Sequence, residues 1–297
     1  MNDDRTRMND GRTRTNDGRT GPAGPGGGPE LPTGVSLTAV GIAAGRAAES
    51  DREHSLFHDP YARAFVDAVG ASAVDGMKDF AGYVAVRTRF FDDYLAGAAD
   101  RGCRQVVILA AGLDTRAFRL PWPDGARLFE VDLPELLDFK EGVLTRQRAA
   151  PACARTVLGA DLRGDWPGAL LGAGLDPSAP SAWLVEGLLP YLSAAENDAL
   201  LDEVGKLSAP GSELAMDHID SRTKGGALAE VSGTLDGLGA AWRSTLDDPA
   251  AWLTAHGWHV MDAPTVGGLA ARYGRGGDLA AHIGARPSGL AAAVREG

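Results

Sequence analysis

A regular alternation constrains this chain more than any other feature. From residue 105 onward, short runs of β-branched and aliphatic side chains are each followed by a stretch of helical pattern. Run 105–110 precedes a short helix near Thr115, 127–131 precedes 134–148, and 155–158 precedes a segment around 166–171. Run 182–185 precedes a helix from Ser193, and 212–216 closes the regular part. Repeated βα units with short connections predict a doubly wound, mostly parallel sheet with helices on both faces. Ser193 and Glu196 have the S-x-x-E spacing of a capping box, a helix start signal. Beyond 220 the pattern loosens. "GALAEVSGTLDGLGAAW" reads as a helical insertion near 220–245, 248–256 as a helix, and "WHVMDAP" and "AAHIGARP" as closing strands.

Upstream of the alternation lie three helical segments: "SLTAVGIAAGRAAES", "DPYARAFVDAV" with Pro60 in its first turn, and "AGYVAVRTRFFDDYLAGAA". In the last, Val86, Phe90 and Leu95 recur near a 3.6-residue period. The first 21 residues are a threefold repeat, "MNDDRTR", "MNDGRTR" and "TNDGRTG", followed by "GPAGPGGGPELPTG". A seven-residue period without apolar side chains cannot form a coiled-coil seam. The expected organisation is therefore a disordered low-complexity tail (1–33), a helical cap (34–100) and a ligand-binding core (101–297).

Net charge is −11, and the tail balances five acids against five arginines, so the whole excess lies in the folded part. Phosphate backbones repel such a domain, which disfavours bulk nucleic acid as a partner. No apolar run approaches the roughly 18 residues that cross a bilayer, and the N-terminus lacks a signal-peptide core. Cys103 and Cys153 fit neither a disulfide framework nor a zinc site. A cytoplasmic protein without a membrane or metal partner is expected.

The stretch "QVVILAAGLDTRAFRL" (105–120) outlines a nucleotide-binding strand, turn and helix. In open α/β sheets, ligands sit at the carboxyl ends of strands near the reversal of strand order. Aligned with G-x-G-x-x-G, the turn has Ala110, Gly112 and Thr115, so one glycine of three remains. A dinucleotide pyrophosphate needs close backbone approach at a helix N-terminus, so this loss argues against NAD or FAD. In "LFEVDLPEL", Asp132 ends the second strand 20 residues after Gly112, where a carboxylate can accept ribose hydroxyls. Asp132 also suits an N-cap ahead of Pro134. Asp161, after the third strand, could meet an adenine amino group, with the Leu162 amide at a ring nitrogen; a plain turn is the other reading. Glu186 ends an apolar strand, a costly place for an ionisable group that does not face a cleft.

These acids, in this order after a one-glycine loop, describe a site for S-adenosylmethionine. "AAGLDTR", "EVDLPEL", "GADLR" and "EGLLPYL" resemble the leucine carboxyl methyltransferase superfamily. "FHDPYARAFV" and "GYVAVRTRFFDDYL" resemble its actinobacterial S-adenosylmethionine-dependent O-methyltransferase branch, and the likeness spans roughly residues 34–286. The resemblance implies a Rossmann-like class I methyltransferase fold. It also implies that Asp132 holds the ribose, Asp161 and Leu162 the adenine, Gly112 the methionine portion, and Glu186 the amino-acid end. An arginine of "VRTRF" would pair with the cofactor carboxylate. Arg87 fits best; Arg89 lies about 200° round the helix, so both cannot face the cleft. Arg46 is a further candidate for that carboxylate. The family's loop often begins with Gly where this chain has Ala110.

The expected activity is methyl transfer to a carboxylate or acidic hydroxyl of a small metabolite. An anionic acceptor needs no general base, whereas a hydroxyl would need one, for which His218 is best placed. Tyr191 and Tyr273 are candidates for the acceptor pocket. The alternatives are a nicotinamide-dependent oxidoreductase on the same fold class, or a non-catalytic cofactor-binding homologue.

Overall fold

In the computed structural model, which describes residues 35–70, 81–224, 241–275 and 289–296, the apolar runs become strands of one seven-stranded sheet. Strands β1 (Gln105–Leu109), β2 (Arg127–Asp132), β3 (Ala154–Gly159), β4 (Ser181–Val185) and β5 (Glu213–His218) pair in parallel. Strands β6 (Trp258–Asp262) and β7 (Gly289–Arg295) extend the sheet antiparallel, in the order β3-β2-β1-β4-β5-β7-β6. Every residue of β1 and β4 is buried, as central strands covered on both faces require. The chain runs from β1 outward to β3, then returns to β4 on the other side of β1. The order reverses there, which places a crevice at the carboxyl ends of β1 and β4.

Strand alternation sorts the side chains onto two faces. Val107, Leu109, Phe129, Val131, Trp183 and Val185 pack with α6 (Trp166–Gly172), α7 (Ala194–Lys206) and α8 (Pro249–Ala255). Val106, Ile108, Leu128, Ala182 and Leu184 pack with α3 (Ala81–Asp100) and α9 (Val266–Arg272). A third cluster joins Val40 of α1 (Val35–Ser50), Phe65 of α2 (Ala62–Val69) and Phe139 of α5 (Pro134–Arg146) to Leu113 of the β1 loop. Thus α3 lies directly on the sheet, whereas α1 and α2 stand over the loop that follows β1 and leads into the short α4 (Arg116–Arg119).

Local signals explain most boundaries. The Ser193–Glu196 capping box forms at the start of α7, and Asp248 caps α8. Pro60 is not in the first turn of α2, which begins at Ala62. The turn is set instead by Asp59, whose Oδ1 accepts from the amides of Tyr61 and Ala62 at 3.1 Å each. β7, "GLAAAVR", was not expected, because its alanines carry no strand signal. The expected strand in 280–287, the tail 1–33 and most of the expected insertion (225–240) lie outside the described residues. Among the described residues, no helix is long and apolar enough to cross a membrane.

Candidate functional site

Register assembles the site. Leu109 pairs with Val131 and Val185, and Val185 pairs with Met216. The next residues, Ala110, Asp132, Glu186 and Asp217, therefore line one edge of the sheet. Gly112 has φ +47°, the left-handed region that glycine tolerates freely, and Ala110 has φ +54°, which costs an L-residue about 1 kcal/mol or more. The loop is held there by the Gly112 amide, which donates to Asp132 Oδ2 at 2.6 Å. Asp132 Oδ1 accepts from the Leu133 amide at 2.7 Å. Asp132 does not cap α5, whose N-cap is Leu133 with no side-chain cap bond. Burial raises the Asp132 pKa, partly opposed by those two amides. A carboxylate offers about four acceptor sites, so lone pairs remain for a ligand's hydroxyls.

The β1 loop is also clamped from above. Arg46 donates through Nε to Asp59 Oδ2 at 2.9 Å and through Nη2 to the Leu113 carbonyl at 2.5 Å. Thr115 Oγ1 donates to the same Asp59 oxygen at 2.7 Å. For Asp59, burial pushes the pKa up, but Arg46, Arg119, Thr115 and Tyr61 outweigh it and the net shift is down. Arg46 is thus engaged in holding the loop.

Glu186 lies between two arginines. Arg87 Nε is 3.0 Å from Oε1, and Arg116 Nη1 donates to Oε2 at 2.7 Å. Arg87 also donates to Asp217 Oδ2 at 2.9 Å, and Tyr83 donates to that oxygen at 3.0 Å. The Gly187 amide donates to Asp217 Oδ1 at 2.6 Å. Burial and Asp217 push the Tyr83 phenol far above its ordinary range. Arg89 points elsewhere, to Asp93 and the Leu56 carbonyl, with 42% of its side chain exposed. Arg87 is therefore the "VRTRF" arginine that meets Glu186.

The other candidates divide. Asp161 is half-buried and bound to Arg163, whose hydrogen bonds lower its pKa, while Leu162 packs against the core. Tyr191 is in the 3-10 turn Leu189–Tyr191, near enough to Arg87 and Asp217 to feel their charge; its pKa is raised chiefly by burial. Tyr273 sits outside this group, donating to Asp93 beside Arg89. His218 ends β5 on the face opposite Asp217. Its Nδ1 is 2.9 Å from the Leu246 carbonyl, and a Cβ on Gly289 would come within 3.1 Å of Nε2. Burial lowers its pKa, against the Leu246 carbonyl and Asp217, and so favours the uncharged imidazole.

Sequence reasoning missed Asp217, Tyr83, Asp59, and the group formed by Arg116, Asp92 and Asp114. Asp217 carried a usable signal, since it follows an apolar strand run just as Glu186 does. The remote partners of Arg116 carried none, because 24 and 70 residues separate it from Asp92 and Glu186.

A doubly wound sheet with a one-glycine loop and carboxylates at the ends of its strands defines a Rossmann-like fold. The leucine carboxyl methyltransferase family profile matches residues 39–205. A Frankia alni protein named as an S-adenosyl-L-methionine-dependent methyltransferase is 50% identical over 261 residues, covering 83% of this chain and 91% of its own. A Streptomyces avermitilis protein of the same name is 43% identical over 279 residues, covering 89% and 96%. A DUF574-family crystal structure from Streptomyces avermitilis has a TM-score of 0.60 at 17% identity, covering 87% of this chain and 97% of its own. A methyltransferase structure from Thermobifida fusca gives 0.54 at 20% identity, covering 89% and 96%. Those two likenesses show the fold. The chain belongs to the leucine carboxyl methyltransferase family, and with it to the S-adenosyl-L-methionine-dependent methyltransferases.

Proposed function

We propose that this enzyme methylates a carboxylate or acidic hydroxyl oxygen on a small, largely apolar metabolite. One observation carries the reading: the ionisable side chains described at the ends of β4 and β5 are already committed. Glu186 and Asp217 are held by arginines, and His218 is buried, with Nδ1 at the Leu246 carbonyl and Nε2 close against Gly289. An acceptor that arrives ionised needs no base from them.

The residues fit the cofactor. Asp132 keeps acceptor capacity for ribose hydroxyls, and the amide of Gly112 is fixed beside it. Asp161 and the Leu162 amide flank the adenine position once Arg163 yields. Glu186 and Arg87 serve the amino-acid end. S-adenosyl-L-methionine, when bound, supplies an activated methyl group. The chain's own task is then alignment and exclusion of water. Tyr191, beside Arg87 and Asp217, lines the acceptor side. The proposed compartment is the cytoplasm, which suits the free thiols Cys103 and Cys153.

His218→Ala tests the reading. With an ionised acceptor the variant should keep its kcat within a few-fold. A loss of about 100-fold or more, the scale of a missing general base, would contradict it.

A further inference from the structure

Glu186 belongs to a buried ion network whose charges do not cancel. Arg87 bridges Glu186 and Asp217; Arg116 bridges Glu186, Asp114 and Asp92; Arg119 binds Asp92. Three guanidinium charges face four carboxylates, so one negative charge is left over. The neighbouring cations are mostly engaged elsewhere: Arg46 pairs with Asp59, and Lys140 and Arg155 share Glu130, with Glu141 also on Arg155. Six of the seven side chains are at most 8% exposed, and only Glu186 reaches 12%. The surplus charge thus comes nearest to solvent at Glu186, at the reversal of strand order. An uncompensated buried charge is costly, and a ligand cation at that carboxylate would balance it.

Arg116 is the node of this network. It is 1% exposed and follows the β1 loop. Its Nε donates to Asp92 Oδ1 of α3 at 2.7 Å, and its Nη1 donates to both Asp114 and Glu186 Oε2. Its amide donates to Asp114 Oδ1 at 2.7 Å, and its carbonyl accepts from Trp122 Nε1 at 2.8 Å. Burial would raise the Asp114 pKa, but Arg116 and other cations outweigh it and bring it to about 2. Glu186 Oε2 thus accepts a hydrogen bond from Arg116 while Oε1 faces Arg87 Nε at 3.0 Å as an ion pair, which orients the carboxylate and leaves acceptor capacity on its oxygens.

We propose that Arg116, steadied by Asp92, is a positioning residue that presents Glu186 to a primary ammonium group, that of the cofactor's amino-acid end. The proposal rests on the reading that the crevice holds S-adenosyl-L-methionine. Arg116→Lys keeps a positive charge among the same carboxylates but loses the fork that reaches Asp92 and Glu186 together. Binding of S-adenosyl-L-homocysteine, which carries the ammonium, is compared by calorimetry with binding of 5′-methylthioadenosine, which lacks the amino-acid end. The variant should lose S-adenosyl-L-homocysteine affinity by roughly tenfold or more while 5′-methylthioadenosine affinity stays within twofold. Asp92→Asn, which frees Arg116 without removing it, should shift the same ratio in the same direction and serves if Arg116→Lys does not fold. Equal losses for both ligands, or no loss, would overturn the positioning role while leaving the cofactor reading intact. Wild-type protein that binds neither ligand would overturn both.

Discussion

Asp132→Ala separates the ligand role of that residue from its structural one. In the protein alone, Asp132 latches the β1 loop through the Gly112 amide at 2.6 Å and the Leu133 amide at 2.7 Å. Losing bonds to a carboxylate costs about 1.5–3 kcal/mol each, but removing a carboxylate that burial disfavours gives part of this back. Folding stability should therefore fall by only about 1–2 kcal/mol, a Tm decrease of roughly 2–8 °C for a chain of this size. Cofactor binding loses both ribose hydrogen bonds with no such offset. At the low end this is about 3 kcal/mol, or roughly 150-fold in Kd. Calorimetric titration with S-adenosyl-L-homocysteine reads the affinity, and a thermal melt reads the fold. Asp132→Asn, which keeps one acceptor oxygen, should fall between the two. A folded Asp132→Ala protein that binds within threefold of wild type would refute the ribose assignment.

Three further outcomes follow from the same geometry. Ala110→Gly relieves the +54° φ, worth about 1–2 kcal/mol, against about 0.4–1 kcal/mol of added chain entropy when unfolded. The variant should melt about 1–4 °C higher, and a lower melting point would show that the methyl group packs favourably. Burial lowers the folded-state pKa of His218 below 6.5, more than the nearby Leu246 carbonyl, Asp217, Asp220 and Asp247 raise it. Its contribution to stability is then complete above pH 6.5 and lost as pH falls through the folded-state value. Urea midpoints between pH 7.5 and 5.5 should drop more in wild type than in His218→Gln, and equal drops would contradict this. Arg89→Ala should leave cofactor affinity within twofold whereas Arg87→Met weakens it about tenfold or more; the reverse order would exchange their roles.

The sheet was legible from residue 105 onward because strands buried on both faces read as uninterrupted apolar runs. The strand ends that carry Ala110 and Asp132 were legible too, because they are local; helical phase separated Arg87 from Arg89 without choosing between them. The last strand was not, because Gly289–Arg295 owes its place to pairing with β5 and β6, and its alanines express no preference. The ion network escaped for a similar reason. Arg87 and Asp217 stand 130 residues apart, and a buried charge reveals its partner only once the fold brings the two together. Arg46, a further candidate for the cofactor carboxylate, has its guanidinium on Asp59 and the Leu113 carbonyl, contacts that its sequence neighbourhood does not announce.

The most direct test of an ionised oxygen acceptor is the chemistry of the product. Purified enzyme is incubated with methyl-labelled S-adenosyl-L-methionine and an extract of small metabolites, and the labelled product is treated with mild base. A carboxylate acceptor gives a methyl ester, so the label should be released as volatile methanol. Label retained in a base-stable ether, with the rate of its formation falling about 100-fold or more in His218→Ala, would contradict the account.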